Sequence, residues 1–134
     1  MADRTIRIRF RGDEREIRLN EEQPIGILET TEFKVWIRGI GDRETQGRIN
    51  DRLRRIRRGD FGDSREIGEG IWELRLDFGP GYRVYYARWR RLIVVLITGG
   101  DKSTQKIAGG RRKRDDTDKA IRLWKEIQGE IVEI

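Results

Sequence analysis

The chain opens on a strict alternation. In TIRIRFRGDEREIRL, residues 5–19, Ile6, Ile8 and Phe10 take one parity, and Arg7, Arg9 and Arg11 take the other. Period-two alternation marks a half-buried strand. Gly12-Asp13 signals a turn, after which Ile17 and Leu19 resume the pattern, so the segment predicts a β-hairpin with one polar face. IGILE, residues 25–29, predicts a short strand. The period then changes. Thr30 or Thr31 can cap a helix, and Phe33, Trp36, Ile37 and Ile40 recur at i, i+3, i+4 and i+7, one helical face that Gly39 and Gly41 end. Residues 42–58 predict a second helix, with Ile49, Leu53 and Ile56 inward and arginines elsewhere. Its last arginines suit the negative end of the helix dipole. The Gly-Asp link between the two predicts an αα-hairpin.

Residues 59–70 read as a Gly- and Asp-rich loop. Three strand candidates follow: IWELRLDF, YRVYYARW and LIVVLIT. The first two alternate; the third is apolar on both faces and belongs in the middle of a sheet. The stretch DFGPGYRVYYARW, residues 77–89, bears on how the first two pair. A two-residue Pro80-Gly81 turn would set Phe78 against Arg83 and mix apolar with charged side chains. A three-residue Gly79-Pro80-Gly81 loop sets Phe78 against Tyr82 and Leu76 against Val84. It gathers Trp72, Leu74, Leu76, Phe78, Tyr82, Val84 and Tyr86 on one face, and Glu73, Arg75, Asp77, Arg83 and Tyr85 on the other. This segregation favours the three-residue loop. The polar face then reads either as solvated surface with an Asp77–Arg83 cross-strand pair or as a surface that handles phosphate. Gly99-Gly100 either lets backbone approach a ligand or ends the strand. IAGGRRKRDD, residues 107–116, reads as a loop. Asp115, Asp116 and Thr117 offer caps for a helix from about Asp118 to Gln128, with Ala120, Leu123, Trp124 and Ile127 inward. The closing EIVEI reads as a short edge strand or a frayed end.

Composition narrows the chemistry. At 134 residues the chain suits one domain. Hydrophobic residues make up 35% and charged residues 40%, with 30 Lys+Arg against 24 Asp+Glu and a net charge of +6. A lean core under a basic surface suits nucleic acid or an acidic protein as partner, or simply solvent. With no Cys and no His, disulfides, thiolate zinc sites and imidazole acid–base chemistry are excluded. Chemistry falls to Arg, Lys, Tyr, Asp, Glu, Ser and Thr. No apolar run reaches membrane-spanning length and no signal-peptide core is present, so the expectation is a cytoplasmic protein with no membrane partner.

EGIWELRLDFGPGYRVYY, followed by LITGGDKSTQ and AIRLWKEI, resembles the RelE/ParE superfamily of toxins from bacterial type II toxin–antitoxin systems, within it the HigB-like addiction module killer protein branch. TEFKVWIRGI, the second helix and GDFGD fall in the same order, so the resemblance covers roughly residues 25–128. It implies an α+β, RelE-like fold: two N-terminal helices packed on a twisted antiparallel sheet, then a C-terminal helix. Residues 1–24 would be an extra N-terminal β-hairpin extension and residues 25–134 the toxin domain. The hairpin would extend a sheet edge as an accessory, and a chain starting near Gln23 would still fold. Residues 107–116 stand where the family has a short turn.

The resemblance further implies a ribosome-dependent endoribonuclease, an RNA-binding mRNA interferase that inhibits translation without cofactor or metal. Its partners would be a cognate antitoxin, the ribosome and mRNA, with the oligomeric state open and a monomer one option. By position, Arg75 and Arg83 match the family's basic sheet residues, and Lys102 its basic residue after the last strand. Glu73, which is Lys in some relatives, is the best available base, with Asp101 or Tyr85 as substitutes. Tyr85, Asp101 and Gln105 are candidates for RNA contact. So are Arg54, Arg55 and Arg58 of RLRRIRR, a run that reads equally as a solvated face. Cleavage by internal 2′-OH attack needs a base, an acid and fixed positive charge, which this residue set can supply. Other classes remain: a ParE-like DNA gyrase inhibitor without ribonuclease activity, a catalytically silent RNA- or antitoxin-binding module, or a purely structural domain.

Overall fold

A computed structural model describes residues 3–101, 106–108, 111–113 and 115–134, with side chains placed for 3–101 and 116–134. The first alternating segment forms β1 (Arg4–Phe10) and β2 (Asp13–Leu19), antiparallel, with Ile6 opposite Ile17. The turn residues are Arg11 and Gly12, one position earlier than expected, at φ of 52° and 84°. Two successive residues at positive φ match the twist of a two-residue hairpin. Next come β3 (Gly26–Glu29), α1 (Thr31–Arg38) and α2 (Arg43–Arg57). Thr30 caps α1: its hydroxyl accepts from the Phe33 N–H at 3.0 Å and donates to the Ile97 carbonyl at 2.8 Å, tying the helix start to the sheet.

The rest of the chain supplies β4 (Ser64–Gly68), β5 (Ile71–Arg75), β6 (Arg83–Trp89) and β7 (Ile93–Gly100). Then follow β8 (Lys106–Ala108), β9 (Arg111–Lys113), α3 (Asp115–Ile127), a 3₁₀ turn (Gln128–Glu130) and β10 (Ile131–Glu133). The five-stranded sheet has the order β3-β7-β6-β5-β4. It is mixed rather than antiparallel, because β3 runs parallel to β7. The helical crossover after β3 allows the parallel pair, whereas the β4–β7 meander pairs through antiparallel neighbours. Every residue of β7 is buried, as its two-sided apolar pattern requires. Among the described residues no helix is long and apolar enough to cross a membrane.

Each face of this sheet has its own cover. On one, Phe33 of α1 and Ile49, Leu53 and Ile56 of α2 pack on Leu74, Val84, Tyr86 and Leu96. On the other, Ile6, Ile8 and Phe10 of β1, Ile17 and Leu19 of β2, and Ala120, Trp124 and Ile127 of α3 pack around Ile71, Tyr85, Val95 and Ile97. The N-terminal hairpin does not extend the edge of the main sheet. It joins β10 in a separate three-stranded sheet, β10-β1-β2, laid over the second face. Gly26 permits this approach, since a Cβ there would collide with Ile17. Arg11, in the hairpin turn, bonds Glu32 of α1 at 2.8 and 3.0 Å and Glu130 at 2.5 Å. The Arg11 guanidinium holds the Glu32 carboxyl below the usual carboxylate range.

Several local expectations change. The segment 59–70 is not all loop, for it contains β4. Residues 107–116 include β9 and part of β8, which pair antiparallel, and α3 begins at Asp115, ahead of Asp118. The final EIVEI does form a strand, β10. Between β5 and β6 the register is Leu74 with Val84 and Arg75 with Arg83, and Leu76 N–H donates to the Tyr82 carbonyl at 2.9 Å. The connection therefore spans 77–81 instead of Gly79-Pro80-Gly81. A two-residue shift preserves which side chains share a face, so the apolar segregation could not detect it. Gly99 neither merely ends the strand nor opens it to a ligand. A Cβ there would strike the Trp36 ring, so this glycine seats α1 against β7.

Ile8 is fully buried in the second core. Ile8→Ala is expected to cost about 3 kcal/mol, and a chain beginning at Gln23 to lose cooperative unfolding, both read by chemical denaturation. A sharp transition in the shortened chain would show the hairpin to be dispensable.

Candidate functional site

The β5–β6 ladder builds the site. Glu73 lies opposite Tyr85 and Arg75 opposite Arg83. Alternation sends these four to one face while Trp72, Leu74, Val84 and Tyr86 point to the helices. Along the ladder, enclosure falls off. Glu73 and Tyr85 lie under the second cover with no exposure, the Arg83 side chain keeps 11% and that of Arg75 43%. The Glu73 carboxylate stands 3.6 Å from Arg65 of β4 and 3.9 Å from Arg83. These are ion-pair distances, and neither Glu73 oxygen nor Arg83 Nη1 has a hydrogen-bond partner among the described residues. Arg75 stands 3.6 Å from Asp63.

Two guanidinium groups directly across a ladder repel one another. Here Glu73 offsets one and Asp63 the other. The pair forms the lip of an open cleft of about 290 Å³, lined by Asp63, Arg75, Leu76, Asp77, Gly81, Tyr82 and Arg83. Tyr82 packs edge-on against Trp36, 6.3 Å between centroids, which fixes the cleft's inner wall. Asp77 is almost fully exposed, 4.0 Å from Arg52 of α2, rather than opposite Arg83. Arg48, one turn earlier, lies 4.0 Å over the Phe78 ring. An open cleft with two fixed cations and two accessible carboxylates can grip a phosphodiester and take up a proton beside it.

The structure thus brings together Arg75, Arg83 and Glu73. Asp101 follows Gly100, the partner of Arg83 in β7, and is half-buried there. Lys102 and Gln105 lie outside the described residues. Tyr85 is enclosed, so its ring presents no surface to a base. Arg54, Arg55 and Arg58 are exposed on the helical layer, on the side of the sheet opposite Glu73 and Tyr85, and Arg54 pairs with Asp51. Sequence reasoning missed Arg65, Asp63, Arg52 and Arg48. The i, i+4 spacing of Arg48 and Arg52 could have flagged a second basic stripe beside Ile49 and Leu53. Arg65 gave no signal, because β4 itself went unseen, and Asp63 stood in GDFGD without being singled out. Among the described residues no group of three or more His, Cys, Asp or Glu side chains is placed to hold a metal ion.

Residues 41–125 match the family described as Phage derived protein Gp49-like (DUF891). Over 81 residues the chain is 42% identical to an uncharacterized protein of Haemophilus influenzae, an alignment covering 60% of this chain and 82% of that protein. The family match contains Asp63, Arg65, Glu73, Arg75, Asp77 and Arg83 together.

Burial, then the Glu73 charge, pushes the Tyr85 phenol up from 10.0 to about 12. In the unfolded chain this phenol ionises near its ordinary value, so above it the unfolded state holds fewer protons than the native state. The contribution is complete below pH 10 and is lost as pH rises toward about 12. Burial raises the Tyr86 phenol as well, so tyrosinate absorbance is expected to show a high-pH step that Tyr85→Phe removes and that accompanies falling thermal stability. A Tyr85 phenolate forming at the ordinary value would contradict its enclosure.

Proposed function

Because the chain belongs to the Gp49-like phage-derived protein family, a toxin–antitoxin-associated family related to RelE/HigB-type toxins, we propose that it is a toxin acting as a ribosome-dependent endoribonuclease on mRNA and neutralised by a cognate antitoxin. The observation that supports this most is the Arg75–Arg83 pair. Each guanidinium faces one carboxylate, Glu73 or Asp63, and the two stand across the ladder at the mouth of an open cleft, where one anion can accept from both. The scissile phosphodiester is that anion.

In this reading the substrate's own 2′-OH attacks the adjacent phosphorus and the bond to the 5′-oxygen breaks. The products carry a 2′,3′-cyclic phosphate and a 5′-OH. Arg75 and Arg83 donate to the non-bridging oxygens, where the phosphorane gathers negative charge. Glu73, being enclosed, anchors Arg83 and Arg65 instead of meeting the 2′-OH. Of the carboxylates on the cleft, Asp63 stands 3.6 Å from Arg75, and Asp77, 4.0 Å from Arg52 and almost fully exposed, takes the proton. Lys102 enters from the resemblance alone, as the group that assists the leaving 5′-oxygen. The ribosome supplies the in-line positioning that the toxin lacks.

Arg75→Ala and Arg83→Ala are each expected to lower cleavage of translated mRNA by roughly 100-fold, the loss of one set of charge-stabilising donors, and to restore growth of expressing cells. Circular dichroism and unfolding curves check that the fold persists; full toxicity of both folded variants would remove these residues from the site. Asp77→Asn is expected to slow cleavage by about 100-fold, the range of one acid–base group, while leaving RNA binding unchanged. Mapped products should end in cyclic phosphate and 5′-OH. Ends with 3′-OH and 5′-phosphate would rule out internal attack, and growth arrest with intact mRNA would point to gyrase.

A further inference from the structure

A second cleft, on the helix-bearing face of the sheet, has no part in the cleavage step above. It measures about 210 Å³ and is lined by Phe61, Gly62, Ser64, Trp72, Tyr86 and Arg88. Register makes its walls aromatic: Trp72 and Tyr86 are direct partners on β5 and β6. Phe61, in the connection from α2 to β4, stacks on Tyr86, with 6.0 Å between centroids and 28° between planes. The Arg88 guanidinium lies 4.9 Å from the centre of the Phe61 ring, and its Nη2 donates to the Arg91 carbonyl at 2.7 Å. Ser64 is held at the rim by donating to the Phe61 carbonyl at 2.6 Å.

A small slot with the part-exposed rings of Phe61 and Trp72 at its sides and the buried Tyr86 as its floor suits a flat group with a π-face, and a guanidinium at its mouth suits an anion attached to that group. A nucleotide combines the two. An apolar peptide side chain would fill the slot but give Arg88 no counter-charge. Position adds a second argument. Asp63 lines the Arg75–Arg83 cleft, while its neighbours Gly62 and Ser64 line this one, so the two clefts flank one short segment. That segment is fixed to β5, with Arg75 N–H donating to the Asp63 carbonyl at 2.9 Å. An extended strand crossing residues 62–64 can leave a phosphate on the arginine lip and a base in the slot.

We propose that the Phe61–Trp72–Tyr86 cleft is a base-binding subsite for single-stranded RNA, with Arg88 on the phosphate of the held nucleotide. The proposal rests on the RNA-cleaving reading above. The test is fluorescence anisotropy with a short labelled 2′-O-methyl oligoribonucleotide, which the protein can bind but cannot cut. Phe61→Leu, which keeps apolar volume but loses the ring, and Arg88→Gln are each expected to weaken binding roughly tenfold, the loss of one stacked base. Phe61→Tyr should restore it, and an abasic probe should bind wild type and Phe61→Leu alike. Should Phe61→Leu fail to unfold cooperatively, the exposed Arg88→Gln carries the test. Unchanged affinity in the folded variants, with Arg75→Ala and Arg83→Ala still weakening binding, overturns the subsite while leaving the cleavage site standing. No binding by the wild-type protein overturns the RNA reading and the subsite with it. Weakened capture of the co-expressed antitoxin at unchanged RNA affinity makes the cleft a protein-docking surface and overturns the proposal.

Discussion

Strand β7 is apolar on both faces, and the rest of the architecture answers to that constraint. Each fully buried aliphatic side chain is worth about 1.5–3 kcal/mol, so neither face of Ile93–Gly100 can be left to water. The helices α1 and α2 cover one side. The other is covered by parts distant in sequence: the hairpin β1–β2, the helix α3 and the strand β10. Such a composite cover needs a fastener. Arg11 supplies it, reaching from the hairpin turn to Glu32 on α1 and to Glu130 just before β10. Ordinary surface ion pairs contribute little. This one keeps about a quarter of the Arg11 and Glu32 side chains in solvent, 28% and 26%, and its weight comes from joining three elements.

The same cover determines what the polar side of the β5–β6 ladder becomes. Where the cover is complete, Glu73 and Tyr85 are enclosed; at its border lies Arg83; beyond it lies Arg75. Burying a carboxylate is costly unless cations stand near it, and Arg65 and Arg83 do. The enclosed charge thereby orients a half-enclosed one. Arg83 is held toward the lip by an interior anion, which limits its rotamers before any ligand arrives. A cation fixed in advance stabilises developing negative charge without first paying to reorganise.

Much of this fold could be read in the residues, and the reasons are particular. β1, β2, α1, α2, β6, β7 and α3 each bury one face or both, so burial leaves a period in the sequence. β4 leaves none, because Ser64–Gly68 is an edge strand with little buried surface and takes its order from β5. The β5–β6 register escaped because an even slip changes no side chain's face. The hairpin's true partner escaped because β10 lies at the far end of the chain, and no local pattern specifies so remote a pairing. At the site, Arg75 and Arg83 were legible from alternation and resemblance together. The enclosure of Glu73 and Tyr85 was not: alternation assigns a face, but only tertiary packing decides whether that face meets solvent or another layer.

The pairing of β1 with β10 also bears on the order in which the molecule is made. The hairpin emerges from the ribosome early, yet its strand partner is synthesised after α3. Closing so long a loop is slow and entropically costly, so the helical half of the sheet can form while the second face still waits. A nascent chain that has not reached Ile131 lacks the strand that completes the hairpin's sheet. The cover on the second face is therefore among the last parts of the fold to close.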